Sequence, residues 1–209
     1  MNKKAFDVQT MTQLALLIAV VIVMKVVGLG SVPVGPLNMS FLTIPIAVGA
    51  IILGPSAGAV LGLVFGLLSF KDGMSGSSYM TAVFFQISPI HTAILCIGMR
   101  VLMGLGCGLI YRVLSRLDRK GWWSTLVGAL SAPLLNTFFF MGYICLAFYN
   151  TEYIQGLCTK LGAANPLMFV VLLVGVQGLI EAVACGVIGT AVCRAVRRVL
   201  GLRRVSAKA

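Results

Sequence analysis

The sequence predicts an all-α integral membrane protein: one bundle of six transmembrane helices with both termini in the cytoplasm. Three observations carry this. First, 59% of the 209 residues are hydrophobic and only 10% are charged, with a mean hydropathy of +1.04. A soluble domain carries about 25% charged residues, and a chain of this size has too little interior to hide so much apolar surface outside a bilayer. Second, the apolar residues form six runs that no linker, low-complexity tract or long charge block interrupts, so residues 1–209 read as a single domain. Third, twelve of the sixteen Lys and Arg fall in three clusters that flank those runs. Lys3 and Lys4 open the chain, Arg112, Arg116, Arg119 and Lys120 sit mid-chain, and Arg194, Arg197, Arg198, Arg203, Arg204 and Lys208 close it. Basic clusters at span ends stay on the cytoplasmic side. The net charge of +11 is therefore a topology signal. Nucleic-acid binding is excluded because no basic face with interleaved aromatics is present.

The first span covers about 11–28. It follows Lys3 and Lys4, is long for a signal-peptide core, and has no small-x-small cleavage site after it. A loop over 31–40 is punctuated by Pro33, Gly35 and Pro36. The second span covers about 37–53, and Gly54-Pro55 forces a turn into the third, about 56–70. Both are short against the ~20 residues that a membrane helix needs. A Gly- and Ser-rich loop follows over 71–88. The fourth span runs over about 90–117 and the fifth over about 122–149, with Trp122 and Trp123 at the inner interface where such rings settle. A loop over 150–165 leads to the sixth span, about 166–199, opened by Pro166. Six spans put all three basic clusters on one side and the loops 31–40, 71–88 and 150–165 outside.

Ionisable and amide side chains within a span are costly and mark function by default. Arg100 lies on the fourth span, Asn136 on the fifth, and Gln177 and Glu181 on the sixth. From the 1.5 Å rise per residue, all four lie roughly 15–23 Å below the outer ends of their helices. Gln177 and Glu181 are four apart and share a face. The set predicts one polar pocket open to the outside. An Arg100–Glu181 pair that only fixes the fourth span against the sixth is an equally weighted reading, since buried charges are normally paired. Gly58, Gly62 and Gly66 repeat every four residues and predict close helix packing. Ala15 and Ala19 make a similar small patch, which on pattern alone is also packing.

Catalytic and metal signatures are absent or poor. No GxxxxGK[ST] phosphate loop occurs. His91 is the only histidine, and the six cysteines have neither zinc-like spacing nor the setting of a disulfide framework. Five of them lie in apolar runs, and Cys158 falls in the last loop. Gly73-Met74-Ser75-Gly76 looks like the GxSG of rhomboid proteases, with His91 as the base. The polar loop around Ser75 and the short spacing to His91 argue against that mechanism. The sequence calls for no cofactor and no metal.

Ordered motifs across nearly the whole chain resemble the substrate-binding S components of energy-coupling factor (ECF) vitamin transporters, and within them the pantothenate-type branch. They are Ala15-x-x-x-Ala19, Val34-Gly35-Pro36-Leu37, Ile52-Leu53-Gly54-Pro55, Gly62 to Ser69, Arg100-Val101-Leu102-Met103-Gly104, Leu135-Asn136-Thr137 and Gly178-Leu179-Ile180-Glu181-Ala182. Where that branch has a proline before the fourth-span arginine and an asparagine on the sixth span, this chain has Met99 and Gln177.

The resemblance implies a multi-pass protein of a bacterial cytoplasmic membrane that binds a small vitamin outside. Pantothenate is the first expectation, with folate, riboflavin and unassigned metabolites as alternatives. It implies Asn38, Arg100, Asn136, Gln177 and Glu181 as substrate-binding residues. It implies Ala15 and Ala19 as the contact with a transmembrane coupling subunit, which works with two ATPases. Two readings of other classes stand beside it. One is a self-sufficient carrier, which usually shows internal repeats with broken helices; the other is the intramembrane protease.

Overall fold

The computed structural model describes residues 8–199 apart from 29, 31, 35, 36, 119 and 120; for 32–34 and 37–39 the backbone alone is described. Lys3, Lys4, Arg119, Lys120, Arg203, Arg204 and Lys208 lie outside the described residues. In chain order the elements are α1 (Val8–Val26), a hairpin of β1 (Val32–Val34) and β2 (Leu37–Met39), α2 (Thr43–Ile52), α3 (Pro55–Ser75) and α4 (Tyr79–Ile87). They continue with α5 (Pro89–Leu117), α6 (Trp122–Ala147), α7 (Glu152–Leu161) and α8 (Pro166–Val199).

Five helices, α1, α3, α5, α6 and α8, are long and apolar enough to cross a membrane. The stretch 37–53, expected as a full span, is helical only from Thr43. Its ten residues rise roughly 15 Å, half of a ~30 Å hydrocarbon core. The rest of that stretch goes into the antiparallel hairpin, in which Pro33 lies opposite Asn38. α2 is apolar all round, and Pro45, Ile46, Ala47, Val48, Gly49, Ala50 and Ile51 are all buried. That pattern belongs to a helix enclosed by protein, and α2 packs against α3, α5, α6 and α8.

Proline and glycine set most of the helix ends. Pro55, Pro89 and Pro166 each occupy a first-turn position, where the missing N–H costs nothing. Gly54, at φ +103°, makes the turn between α2 and α3, and Gly76, at φ +75°, ends α3 in the left-handed conformation that glycine allows. α3 therefore runs five residues beyond Phe70, into the predicted loop. Its polar end is tolerated because Asp72 meets Lys25 of α1 at 2.5 Å. The loops 71–88 and 150–165 fold into α4 and α7. These lie on a cluster that includes Phe84, Met141, Phe148, Ile154, Cys158 and Phe169, with Phe84 stacked on Phe148 at 4.3 Å between centroids. Cys158, expected in an open loop, thus lies on the buried face of α7.

A second cluster is centred on Ile46, Ala50, Leu61, Phe65, Met103 and Cys185, and a small third one joins Val48, Ile51, Ala129 and Cys193. Many large apolar side chains remain on the outside, among them Val26, Phe138, Leu146, Leu167 and Val176. Exposed apolar surface on this scale belongs against lipid. The glycine stripe of α3 packs inside the bundle, as its spacing predicts. A Cβ at Gly58 would run into the Gly104 carbonyl, one at Gly62 into the Arg100 carbonyl, and one at Gly66 would lie 2.7 Å from the Cys96 carbonyl oxygen. α3 and α5 therefore meet backbone to backbone.

Candidate functional site

Between these clusters α1, α3, α4, α5, α6, α8 and Ser40, just past the hairpin, line a cavity of about 80 Å³. Arg100, Asn136, Gln177 and Glu181 all line it. The structure thus brings together the four polar residues singled out within the apolar runs. Asn38 lies on β2, and its side chain is outside what is described.

Arg100 owes its placement to the start of α5. Ile94–Gly98 is a π-helical turn, a widened turn of the kind found at functional sites. The Arg100 Nη1 donates to the Cys96 carbonyl of that turn at 3.2 Å. The backbone of this stretch is pressed on Gly62 and Gly66 of α3, which hold it in place. The guanidinium carbon lies 4.4 Å from the ring centroid of Phe65 and 4.8 Å from that of Phe140, within cation–π range. Arg100 is only 7% exposed, and its Nε has no hydrogen-bond partner. A guanidinium carries five N–H donors; here Nη1 is bonded and the buried Nε is left without a partner.

The carboxylates at the cavity are engaged elsewhere. Glu181 Oε1 accepts from the Ser40 backbone N–H at 2.6 Å and from Gln177 Nε2 at 3.4 Å. Glu181 therefore ties α8 to the end of the hairpin. Asp72 is ion-paired with Lys25. Among the described residues Arg100 and Glu181 form no ion pair, so the pairing read from the sequence as an alternative to a ligand role is not made. A second π-helical turn, Cys185–Gly189, begins four residues after Glu181.

Several cavity residues had escaped the sequence reading. Phe65 and Phe140 look like ordinary members of apolar runs. Lys25 is a cation inside the first span and could have been found on that ground alone. Asp72, Ser69 and Thr81 fell in or beside a stretch read as loop and span end, and Thr137 follows Asn136 directly.

The remaining candidates lie apart. Ala15 and Ala19 are exposed on α1, so this small patch is not packing within the bundle. Ser75 Oγ donates to the Asp72 carbonyl and contacts Ser77 Oγ at 2.9 Å, while His91 Nδ1 is 2.9 Å from Tyr143 Oη. Serine and histidine have separate partners and do not form a dyad. Among the described residues no three His, Cys, Asp or Glu converge as metal ligands.

The family model for the ECF transporter substrate-specific component matches residues 9–192. No curated protein matches the chain significantly.

Proposed function

Since the chain belongs to the family of substrate-specific components of ECF transporters, whose members bind a substrate and are not catalytic, we propose that its substrate is a small carboxylate-bearing vitamin, pantothenate first. The observation that carries this is Arg100: a buried guanidinium packed on two aromatic rings, holding one carbonyl, with its Nε unpartnered. A buried charge without a counter-charge is strongly destabilising. Lys25 is ion-paired with Asp72, and the Glu181 carboxylate is held by two N–H donors, so neither carboxylate of the cavity bonds the guanidinium. Arg100 is thus left without a carboxylate in contact, although the two cations and two carboxylates that line the cavity balance in number.

A ligand carboxylate supplies that contact, and the planar guanidinium can give it two parallel hydrogen bonds. Asn136 and Gln177 each donate and accept, which suits the amide and two hydroxyls of pantothenate. Glu181 acts on the ligand indirectly, by holding the hairpin end at Ser40. The loops 31–40 and 150–165 serve as the cover that closes over the bound vitamin.

The rest of the reading follows the family and the charge pattern. The chain makes six passes through a bacterial cytoplasmic membrane with both ends inside; α2 together with the hairpin makes the second. Ala15 and Ala19, exposed on α1, receive a helix of a transmembrane coupling subunit, and two ATPases on that subunit supply the energy. The test is purification of the chain and mass spectrometry of the small molecule that co-purifies. Pantothenate supports the proposal. Folate or riboflavin would keep the transport role and replace the substrate. Uptake that proceeds without ATP and without partner subunits would instead make the chain a self-sufficient carrier.

A further inference from the structure

The basic end of the bundle carries a second polar arrangement, far from the cavity residues. The last turns of α8, from Thr190 to Val199, hold Arg194, Arg197 and Arg198, while Cys193 turns inward. Arg197 reaches between helices: its guanidinium donates to Tyr111 Oη of α5 and to Thr125 Oγ1 of α6, the latter at 3.4 Å. Arg194 and Arg198 are exposed and four residues apart, so they share a face. The Arg194 guanidinium carbon lies 5.2 Å from the ring centroid of Trp122. Trp122 and Trp123 are edge to face at 5.3 Å and are 43% and 65% exposed.

Among the described residues, none of these three arginines has a carboxylate partner. Asp118 is the one acidic residue described at this end, and it accepts from the Ser124 N–H at the start of α6. Exposed apolar side chains lie on the same two helices, Val127 on α6 and Val187 and Val199 on α8. The patch is therefore a boundary. Uncompensated cations and tryptophans sit where a lipid-facing apolar surface ends. An acidic protein surface would match the charge but not the apolar border or the ring pair, which belong at the headgroup level of a bilayer.

We propose that Arg194 and Arg198, with Trp122 and Trp123, form a binding site for the headgroup of an anionic phospholipid in the leaflet at the basic end of the bundle. The two guanidinium groups take the phosphate by charge-assisted hydrogen bonds. The indole rings lie along the glycerol and upper acyl region. Basic pockets between membrane helices bind anionic headgroups in this way. The inference depends neither on the vitamin's identity nor on the orientation of the bundle.

Trp122 and Trp123 are the only tryptophans in the chain, so their fluorescence reads this site alone. The full chain is placed in phosphatidylcholine nanodiscs doped with brominated phosphatidylglycerol or, at equal mole fraction, brominated phosphatidylcholine. The anionic lipid is expected to quench the tryptophans at lower mole fraction. Each basic residue near such a surface is worth about fivefold in affinity. Arg194→Gln with Arg198→Gln should therefore shift the anionic titration by at least tenfold and remove the preference. Arg194→Lys with Arg198→Lys should keep most of it. Equal quenching of the wild type by both lipids would overturn the proposal, as would a preference unchanged in the glutamine variant. Loss of the preference on adding millimolar glycerol phosphate would reassign the site to a soluble phosphate.

Discussion

Replacing Arg100 with lysine keeps the charge at the cavity and removes the planar fork. The structure fixes what is lost. Arg100 holds the Cys96 carbonyl at 3.2 Å with one Nη and keeps its Nε unengaged. The guanidinium carbon lies 4.4 and 4.8 Å from the Phe65 and Phe140 rings. An ammonium can make one strong contact to a carboxylate but not two parallel ones, and it is too compact to hold both ring contacts and the carbonyl together. One charge-assisted hydrogen bond is worth about 1.5–3 kcal/mol, so Arg100→Lys should weaken pantothenate binding roughly 10- to 100-fold with little loss of folded yield. Isothermal titration on the purified variant measures it. The double change Arg100→Met with Glu181→Met should not restore binding, because the two residues make no ion pair to be removed together. Wild-type affinity in either variant would refute the anchoring role of Arg100.

Three further outcomes follow from named contacts. Glu181→Ala leaves the buried Ser40 N–H without its acceptor, which costs about 1–3 kcal/mol; amide exchange at Ser40 should speed up roughly 10- to 100-fold, and unchanged exchange would deny the tie between α8 and the hairpin. Ala15→Trp or Ala19→Trp adds bulk on the exposed face of α1, so ligand binding should persist while transport and partner co-purification are lost; normal transport in both would return the pair to a passive lipid-facing role. Lys160→Cys puts a thiol on the exposed face of α7 and should be labelled in intact cells by an impermeant maleimide, whereas the buried Cys158 should not; labelling only after lysis would place α7 in the cytoplasm.

Where the apolar runs begin was legible because proline and glycine write those positions in local chemistry. Pro55, Pro89 and Pro166 open helices at or next to the expected residues, and the last helix spans 166–199 as read. Arg100, Asn136, Gln177 and Glu181 stood out because an apolar run makes any polar residue conspicuous, and all four reach one cavity. What stayed hidden depends on partners distant in the chain. The stretch after Phe70 reads as loop by polarity, yet Asp72 stays helical because Lys25, forty-seven residues earlier, neutralises it. Strands of three residues around Gly35-Pro36 are too short to show a period, so the hairpin read as part loop and part span. Phe65 and Phe140 carry no mark that separates a cavity wall from core or lipid contact, and the π turns beside Arg100 and Glu181 have no signature in residue type. Whether Ala15 and Ala19 pack inward or stand free was likewise undecidable until α1 had neighbours.

The most direct test of the central claim is a calorimetric comparison of pantothenate with pantothenol, which replaces the carboxylate by an alcohol and leaves the amide and both other hydroxyls in place. If Arg100 anchors the ligand carboxylate, pantothenate should bind saturably at one site, and pantothenol at least tenfold more weakly. Failure of pantothenate to bind, or pantothenol binding equally well, would contradict the account.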